Sequence, residues 1–132
     1  MKGININIEK DTLENTDFRR VLYTGQHSQL VLMSLRPGEE IGLETHAEND
    51  QFLRFEGGNG AVFINDNRYL VADGSAIIVP AGAPHNVVNL SDSKELKLYT
   101  IYSPPHHKDG TIHATKEDAE AGDEDFDGKT TE

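Results

Sequence analysis

The sequence predicts an all-β fold, either a sandwich or a closed barrel. Residues 20–105 contain many short runs of β-branched and aliphatic residues, often alternating with polar ones. The segments between them, such as RPGEE, GGNG, NDN, ADG and PAGAP, are rich in residues that favour tight turns. No stretch has the length and periodicity of a substantial helix. Many short strands joined by turns are typical of a sandwich or barrel.

The individual elements can be predicted in order along the chain. An N-terminal edge strand is expected over residues 4–8, where isoleucine alternates with asparagine. A short helical turn is expected over residues 11–14, where aspartate and glutamate have the spacing of a capping motif. Further strands are predicted over residues 29–35, 41–45, 51–55, 61–64, 69–71, 76–79, 86–89 and 96–102.

The two ends of the chain differ from its centre. Residues 1–19 form the predicted edge strand and helical turn, residues 20–105 the barrel, and residues 106–132 an acidic C-terminal tail. The tail has nine acidic residues against three lysines and a single aromatic residue. This composition favours a solvated extension, because little apolar surface is available for burial. Three tail histidines could lie on the surface or cover a pocket, and His113 is expected on the surface.

Composition excludes several classes of protein. The chain of 132 residues contains no cysteine, so a metal site would need histidine and oxygen ligands. A net charge of -11 disfavours nucleic acid and anionic membrane surfaces, which are bound mainly through lysine and arginine. The sequence has no apolar run long enough to cross a bilayer, and its start lacks the apolar region of a secretion signal. A soluble cytoplasmic protein is expected.

Four polar side chains are predicted to converge inside the barrel. Residues two apart in a strand share a face, so Glu44 points the same way as His46. Gln51 shares a face with the apolar positions that follow it, and His85 with the valine two positions on. Buried polar groups need partners, and one divalent metal ion would satisfy all four. The alternative is that both histidines are ordinary hydrogen-bonded residues.

Two segments resemble the conserved motifs of the cupins. The stretch GSAIIVPAGAPHNVVN is similar to the second cupin motif, G-x5-P-x-G-x2-H-x3-N, at all its fixed positions: Gly74, Pro80, Gly82, His85 and Asn89. The stretch GEEIGLETHAENDQFLRFEGG resembles the first motif, with its spacing kept at Gly38, His46 and Gly58. Glu44 stands where this motif usually has a histidine, and Gln51 where it usually has a glutamate.

The resemblance implies a fold and a site. It covers roughly residues 20–105 and implies a single-domain, RmlC-like jelly-roll β-barrel, usually dimeric, with a metal ion between the two motifs. The ending LYTIYSPPHHKDG also resembles small bacterial cupins that carry a mannose-6-phosphate isomerase-like label. Such labels follow the fold, and a shared fold does not establish a shared function.

The predicted metal ligands are Glu44, His46, Gln51 and His85. This set keeps one negative charge, as in a usual cupin site, but replaces one imidazole nitrogen with a harder oxygen donor. That exchange disfavours copper and favours Fe, Mn, Ni, Co or Zn as a divalent ion. The counter-hypothesis is a decayed site that binds a ligand without metal, or binds nothing.

Two further residues are candidate catalytic groups. His27 shares strand parity with apolar residues of the following run and could serve as a base, or could lie in solvent at the strand end. Tyr102 lies on the parity of Leu96 and Leu98 and could place its phenol near the mouth of the barrel, or could belong to the core.

Three function classes follow from these residues. The first is a metal-dependent enzyme of oxygenase or isomerase type that acts on a small polar molecule. The second is a binding or sensing module in which a metal ion orders the ligand. The third is a metal-free epimerase-type cupin, which needs a histidine base and a tyrosine acid. A homodimer is expected in each case, because the predicted edge strand would leave unpaired backbone groups.

Overall fold

The computed structural model describes all residues from 1 to 132 and consists of two antiparallel sheets that face each other. The six-stranded sheet has the order β6-β3-β8-β2-β1-β9, and the three-stranded sheet the order β5-β4-β7. The strands are β1 Arg19–Thr24, β2 Gln29–Leu35, β3 Asp50–Gly57, β4 Asn59–Ile64, β5 Asn67–Ala72, β6 Ala76–Val79, β7 His85–Asn89, β8 Leu96–Ser103 and β9 Ile112–His113. Two short helices, α1 Ile8–Glu14 and α2 Lys116–Gly122, flank them. The predicted single-domain jelly-roll barrel is confirmed.

The hydrophobic core fills the space between the two sheets. Strand β8 alternates buried and half-buried side chains along nearly its whole length, as the period of a strand requires. Leu53 and Phe55 of β3 are fully buried, as their parity predicts, and Val87 of β7 is 1% exposed. The same inward face carries Gln51 and His85, so polar side chains lie at one end of an otherwise apolar interior.

The predicted N-terminal edge strand over residues 4–8 is wrong. Residues 1–7 pair with no strand, and α1 begins at Ile8. The side chain of Asn7 accepts a hydrogen bond from the Lys10 N–H at 3.1 Å and caps the helix. Acidic residues in the first turn favour the same helix start. The alternation of isoleucine and asparagine therefore contains a helix cap, and the predicted helical turn begins three residues earlier than expected.

Residues 41–45 are extended but do not form a regular strand. The segment makes isolated bridges, Glu40 with Val88 and Glu44 with His85. It runs along β7, where the Ile41 N–H also donates to the Val87 carbonyl at 2.9 Å and the Gly42 N–H donates to Oδ1 of Asn86 at 2.8 Å. Sequence patterns also missed β1 and β9, which pair with each other at the edge of the large sheet.

The acidic tail packs on the barrel, which corrects its interpretation as a solvated extension. Strand β9 pairs with β1, and Thr115 and Asp118 form a capping box at the start of α2. His113 is 8% exposed, not on the surface, and His107 is 2% exposed. The tail is held largely by polar contacts, which a search for apolar surface does not detect.

The helices are too short to cross a membrane, and none contains an apolar segment of the required length.

Candidate metal centre

Three of the four predicted ligands come together at one end of the barrel. Glu44, His46 and His85 each offer a ligand atom, and these atoms all lie within 4.8 Å of one another. Both histidines are buried, whereas the Glu44 side chain is 29% exposed. The cluster is therefore partly exposed to solvent on its carboxylate side.

The turn between β6 and β7 fixes the two motifs against each other. Gly82 has a φ of 85°, which favours glycine, and its N–H donates to the His46 carbonyl at 2.9 Å. The main chains of Glu44 and His85 exchange two hydrogen bonds of 2.9 Å. These bonds place the irregular segment that carries Glu44 and His46 directly beside His85. The Pro- and Gly-rich turn thus serves to position the histidine that follows it.

Hydrogen bonding leaves the ring nitrogens of both histidines suited to a metal ion. Nδ1 of His85 donates to the Ala83 carbonyl at 2.9 Å, which leaves Nε2 with its lone pair free. Nε2 of His46 lies 2.9 Å from Oε2 of Glu44. It is buried but lacks the alignment of a hydrogen bond with any partner. These two atoms are both potential metal ligands. Because they lie close together without a well-formed hydrogen bond, they could bind the same cation.

Gln51 adds an oxygen that has no partner in the protein. It is 4% exposed, and its Nε2 donates to Oγ1 of Thr100 at 3.0 Å. Its Oε1 is buried and makes no hydrogen bond. A buried carbonyl oxygen without a partner is costly, and a cation would satisfy it. The three clustered side chains therefore fit a divalent ion, with two imidazole nitrogens and one carboxylate oxygen as donors.

The charges in the cluster are also suitable for a metal ion. Burial raises the pKa of Glu44, but interaction with His46, and to a smaller extent with Arg19 and His85, lowers it more, so the net pKa is below its usual value. Burial lowers the pKa of His85. Glu44 is therefore ionised and His85 neutral near pH 7. These are the protonation states in which both residues bind metals.

The two candidate catalytic residues lie in different environments, one buried beside the cluster and the other exposed. Tyr102 is 2% exposed, and its ring stands edge-on to His46 with 5.6 Å between centroids. Burial raises its pKa far above the usual value, so the phenol stays protonated. His27 is exposed in the turn between β1 and β2 and does not face the barrel interior. The solvent alternative for His27 is the correct one.

Three residues of the tail lie near the cluster although they were not among the predicted site residues; for the two histidines, His106 and His107, the sequence offered a cover over a pocket only as an alternative to the surface. The His106 ring lies 4.2 Å from that of His46 between centroids. Nδ1 of His107 lies 3.2 Å from Oδ1 of Asp123, and its Nε2 lies 3.4 Å from the Tyr102 hydroxyl. The available signal was the position of the two histidines, directly after a strand whose inward face ends at Tyr102.

Burial keeps both tail histidines neutral. It lowers the pKa of His106 to about 4, and electrostatic interaction with the neighbouring His107 and His46 imidazoles acts in the same direction. Burial also lowers the pKa of His107, although the contact with Asp123 acts in the opposite direction. The tail therefore brings uncharged imidazoles, rather than cations, to the candidate metal centre.

Comparison with known proteins gives consistent results. The family model for the Cupin domain matches residues 31–102. YrkC of Bacillus subtilis strain 168 is 50% identical over 129 residues, which cover 93% of this chain and 69% of that protein. L612 of Acanthamoeba polyphaga mimivirus is 44% identical over 110 residues, which cover 81% and 69% of the two chains. The crystal structure of BH2720 from Bacillus halodurans has a TM-score of 0.88 and 48% identity, with 92% and 96% of the two chains covered.

Proposed function

Because the chain belongs to the Cupin domain family, we propose that it is a metal-dependent cupin whose divalent ion is held by Glu44, His46 and His85. Convergence of these three side chains carries the proposal. Gln51 would supply a fourth, neutral oxygen, since its buried Oε1 has no other partner. Fe, Mn, Co, Ni and Zn are the candidate ions, because the oxygen-rich donor set disfavours copper.

We infer an enzyme that acts on a small polar molecule, of oxygenase or isomerase type. When bound, the metal ion would polarise an oxygen atom of that molecule. Glu44 and the two imidazoles would orient the ion, and the apolar core beneath them excludes water from that side. Tyr102 would hold its proton at the buried phenol oxygen, beside His46, and offer a neutral polar group to the bound molecule.

Metal-free acid–base catalysis is a second candidate, favoured by one observation. The Tyr102 hydroxyl and Nε2 of His107 lie 3.4 Å apart, and Asp123 lies on the other side of that imidazole. A tyrosine acid and a histidine base are the pair that an epimerase-type cupin needs. A binding or sensing module is the non-catalytic alternative. Catalytic activity that survives complete metal removal would favour the epimerase type over the metal-dependent enzyme and over the binding module in which a metal ion orders the ligand.

The homodimer also stays a proposal, but it now depends on exposed apolar side chains instead of an edge strand. The edge strand over residues 4–8 that motivated it is absent. Large apolar side chains are nevertheless exposed on the barrel surface, among them Leu43 at 77%, Leu70 at 68% and Ile78 at 68%. Contact between two copies would remove such groups from water. Sedimentation at micromolar concentration tests this, and a species of only 14.6 kDa would reject it.

Metal titration of the apo protein tests the proposed function. Glu44→Gln keeps the size of the side chain and removes the only negative ligand, so affinity for Co(II) should fall by roughly 100-fold or more. His46→Ala and His85→Ala should each abolish tight binding. Gln51→Glu adds a carboxylate and should bind at least as tightly. His27→Ala is the matched control, because that histidine is exposed, and it should bind like the parent.

Equal Co(II) affinity in the parent and in Glu44→Gln would remove Glu44 from the ligand set. Equal affinity in His46→Ala and His85→Ala as well would reject the metal centre.

A further inference from the structure

His106 lies beside the candidate metal centre without belonging to it. Its ring is 4.2 Å from that of His46 and 5.2 Å from that of Tyr102, between centroids. The group of ligand atoms within 4.8 Å of one another contains Glu44, His46 and His85 but not His106. The tail therefore places an imidazole against His46, outside the group of clustered ligand atoms.

The main chain holds His106 firmly in this place. Its N–H donates to Oε1 of Gln29 at 3.2 Å, and its carbonyl accepts from the Phe126 N–H at 3.0 Å. Gln29 is itself buried, and its Nε2 donates to Thr24 and to the His107 carbonyl. A residue fixed from both sides by its backbone presents its side chain with little loss of entropy on binding a ligand.

The side chain of His106, in contrast, has no hydrogen-bond partner. It is half-buried, and neither ring nitrogen bonds to any group of the protein. The neighbouring His107 and Gln29, in contrast, use all their side-chain polar atoms in hydrogen bonds. The ring nitrogens of the His106 imidazole are thus available to a ligand bound beside His46. Polar groups in such positions generally contact a ligand or water.

The charges around the site indicate the kind of ligand. Glu44 is the only charged side chain among the proposed ligands. Gln51 carries no charge, whereas Arg19 and Asp123 compensate each other at 3.4 Å on the tail side. A divalent ion on Glu44 therefore leaves one positive charge in a half-enclosed site. A single negative charge on the bound molecule would balance it.

We propose that the metal centre binds a small monoanion and that His106 is the side chain of the tail that contacts it. This inference rests on the proposed metal function. The N–H of the imidazole donates to the anion, which occupies an open position of the ion. His106 is then a specificity-determining residue that lies outside both sequence motifs of the barrel.

The test uses azide as a monoanionic probe of the Co(II)-loaded full chain, followed by visible absorption. In His106→Ala, Co(II) affinity should stay within about threefold of the parent, whereas azide affinity should fall about tenfold, as expected for loss of one hydrogen bond. His106→Gln keeps an N–H donor and should recover part of the loss. His27→Ala, the exposed control, should match the parent in both titrations.

A second variant tests the charge balance. Gln51→Glu adds a negative charge to the ligand set, so it should keep Co(II) but bind azide at least tenfold more weakly than the parent. Azide binding as tight as in the parent, in either Gln51→Glu or His106→Ala, would overturn the corresponding half of the proposal. A large loss of Co(II) affinity in His106→Ala would also overturn it, by making His106 a metal ligand. Failure of the parent to bind Co(II) would instead reject the metal function itself, and the inference with it.

Discussion

Asp123 is the residue whose charge most directly ties the acidic tail to the barrel. Its carboxylate lies 3.4 Å from Nη1 of Arg19 and 3.2 Å from Nδ1 of His107. The Arg19 side chain is 6% exposed, and its Nε has no partner. Asp123→Asn keeps the shape of the side chain but leaves that buried guanidinium without its counter-charge. The variant should therefore be less stable, although the metal ligands are untouched.

The size of the effect follows from the burial of the two partners. Breaking a fully buried ion pair costs about 3–5 kcal/mol, and an exposed pair contributes about 0–1 kcal/mol. Asp123 is 35% exposed, which places the expected loss at about 2 kcal/mol. For a chain of 132 residues, an unfolding entropy of about 2.1 cal/mol/K per residue converts this loss to a Tm lower by about 7 °C.

The pH dependence gives the same experiment a second readout. Burial raises the pKa of Asp123, but His107 and Arg19 lower it more, so its net pKa in the folded protein lies below the unfolded value. Its contribution is therefore complete above about pH 4 and is lost as the pH falls further through the folded pKa. The stability difference between parent and Asp123→Asn should persist down to about pH 4 and then narrow.

Chemical denaturation of the metal-free proteins measures these differences. Glu124→Gln is the matched control, because that carboxylate is the next residue and pairs with Lys108 at an exposed site. It should change the free energy of unfolding by less than about 0.5 kcal/mol. Equal stabilities of the parent and Asp123→Asn at pH 7 would refute the role assigned to the tail contacts.

Three further predictions concern the backbone, the histidines and the tail. Gly58→Ala would place a Cβ 2.5 Å from the Glu95 carbonyl oxygen at a φ of 90°, so chemical denaturation should show a free energy of unfolding lower by about 2–4 kcal/mol. Gly122→Ala is the control, because a Cβ has free space there and the free energy of unfolding should not change. Equal effects of the two substitutions would contradict this prediction. Burial holds the pKa of His106 at about 4, below the value in the unfolded chain, so the free energy of unfolding of the metal-free protein should fall by about 1–2 kcal/mol between pH 6.5 and 4. The fall should be smaller in His106→Gln, and a free energy of unfolding that does not change over this pH range would contradict the prediction. Deleting residues 110–132 removes β9, α2 and Asp123 and should lower the Tm by about 10 °C or more. A change of only a few degrees would support the interpretation of the tail as a solvated extension.

The parts of the fold that could be predicted are those governed by local patterns. Strands β2 and β6 match their predicted bounds because apolar runs end there at clear turn residues. The prediction over residues 4–8 was wrong because the last asparagine caps a helix, and a cap outweighs a weak alternation. Strand β1 was missed because two arginines open it, and one of them is buried only through partners on the distant tail.

The candidate site likewise contains residues that local sequence patterns predict and residues that they do not. Glu44, His46 and His85 come from motif spacing, which fixes their positions relative to turns and strands. His106, His107 and Asp123 were not predicted as site residues because the acidic composition of the tail indicates solvation. The tail instead packs on the barrel through polar pairs with Arg19, which lies 104 residues before Asp123. Contacts at that separation have no local signature, since either partner alone resembles a solvated charge.

The central claim is that this chain holds one divalent ion at Glu44, His46 and His85. Elemental analysis of protein purified without chelator tests it most directly. We expect about one equivalent of Fe, Mn, Co, Ni or Zn per chain, and less than about a tenth of that in a double variant carrying His46→Ala and His85→Ala. A parent protein that contains none of these metals, and gains none on dialysis against each of them, would contradict the claim.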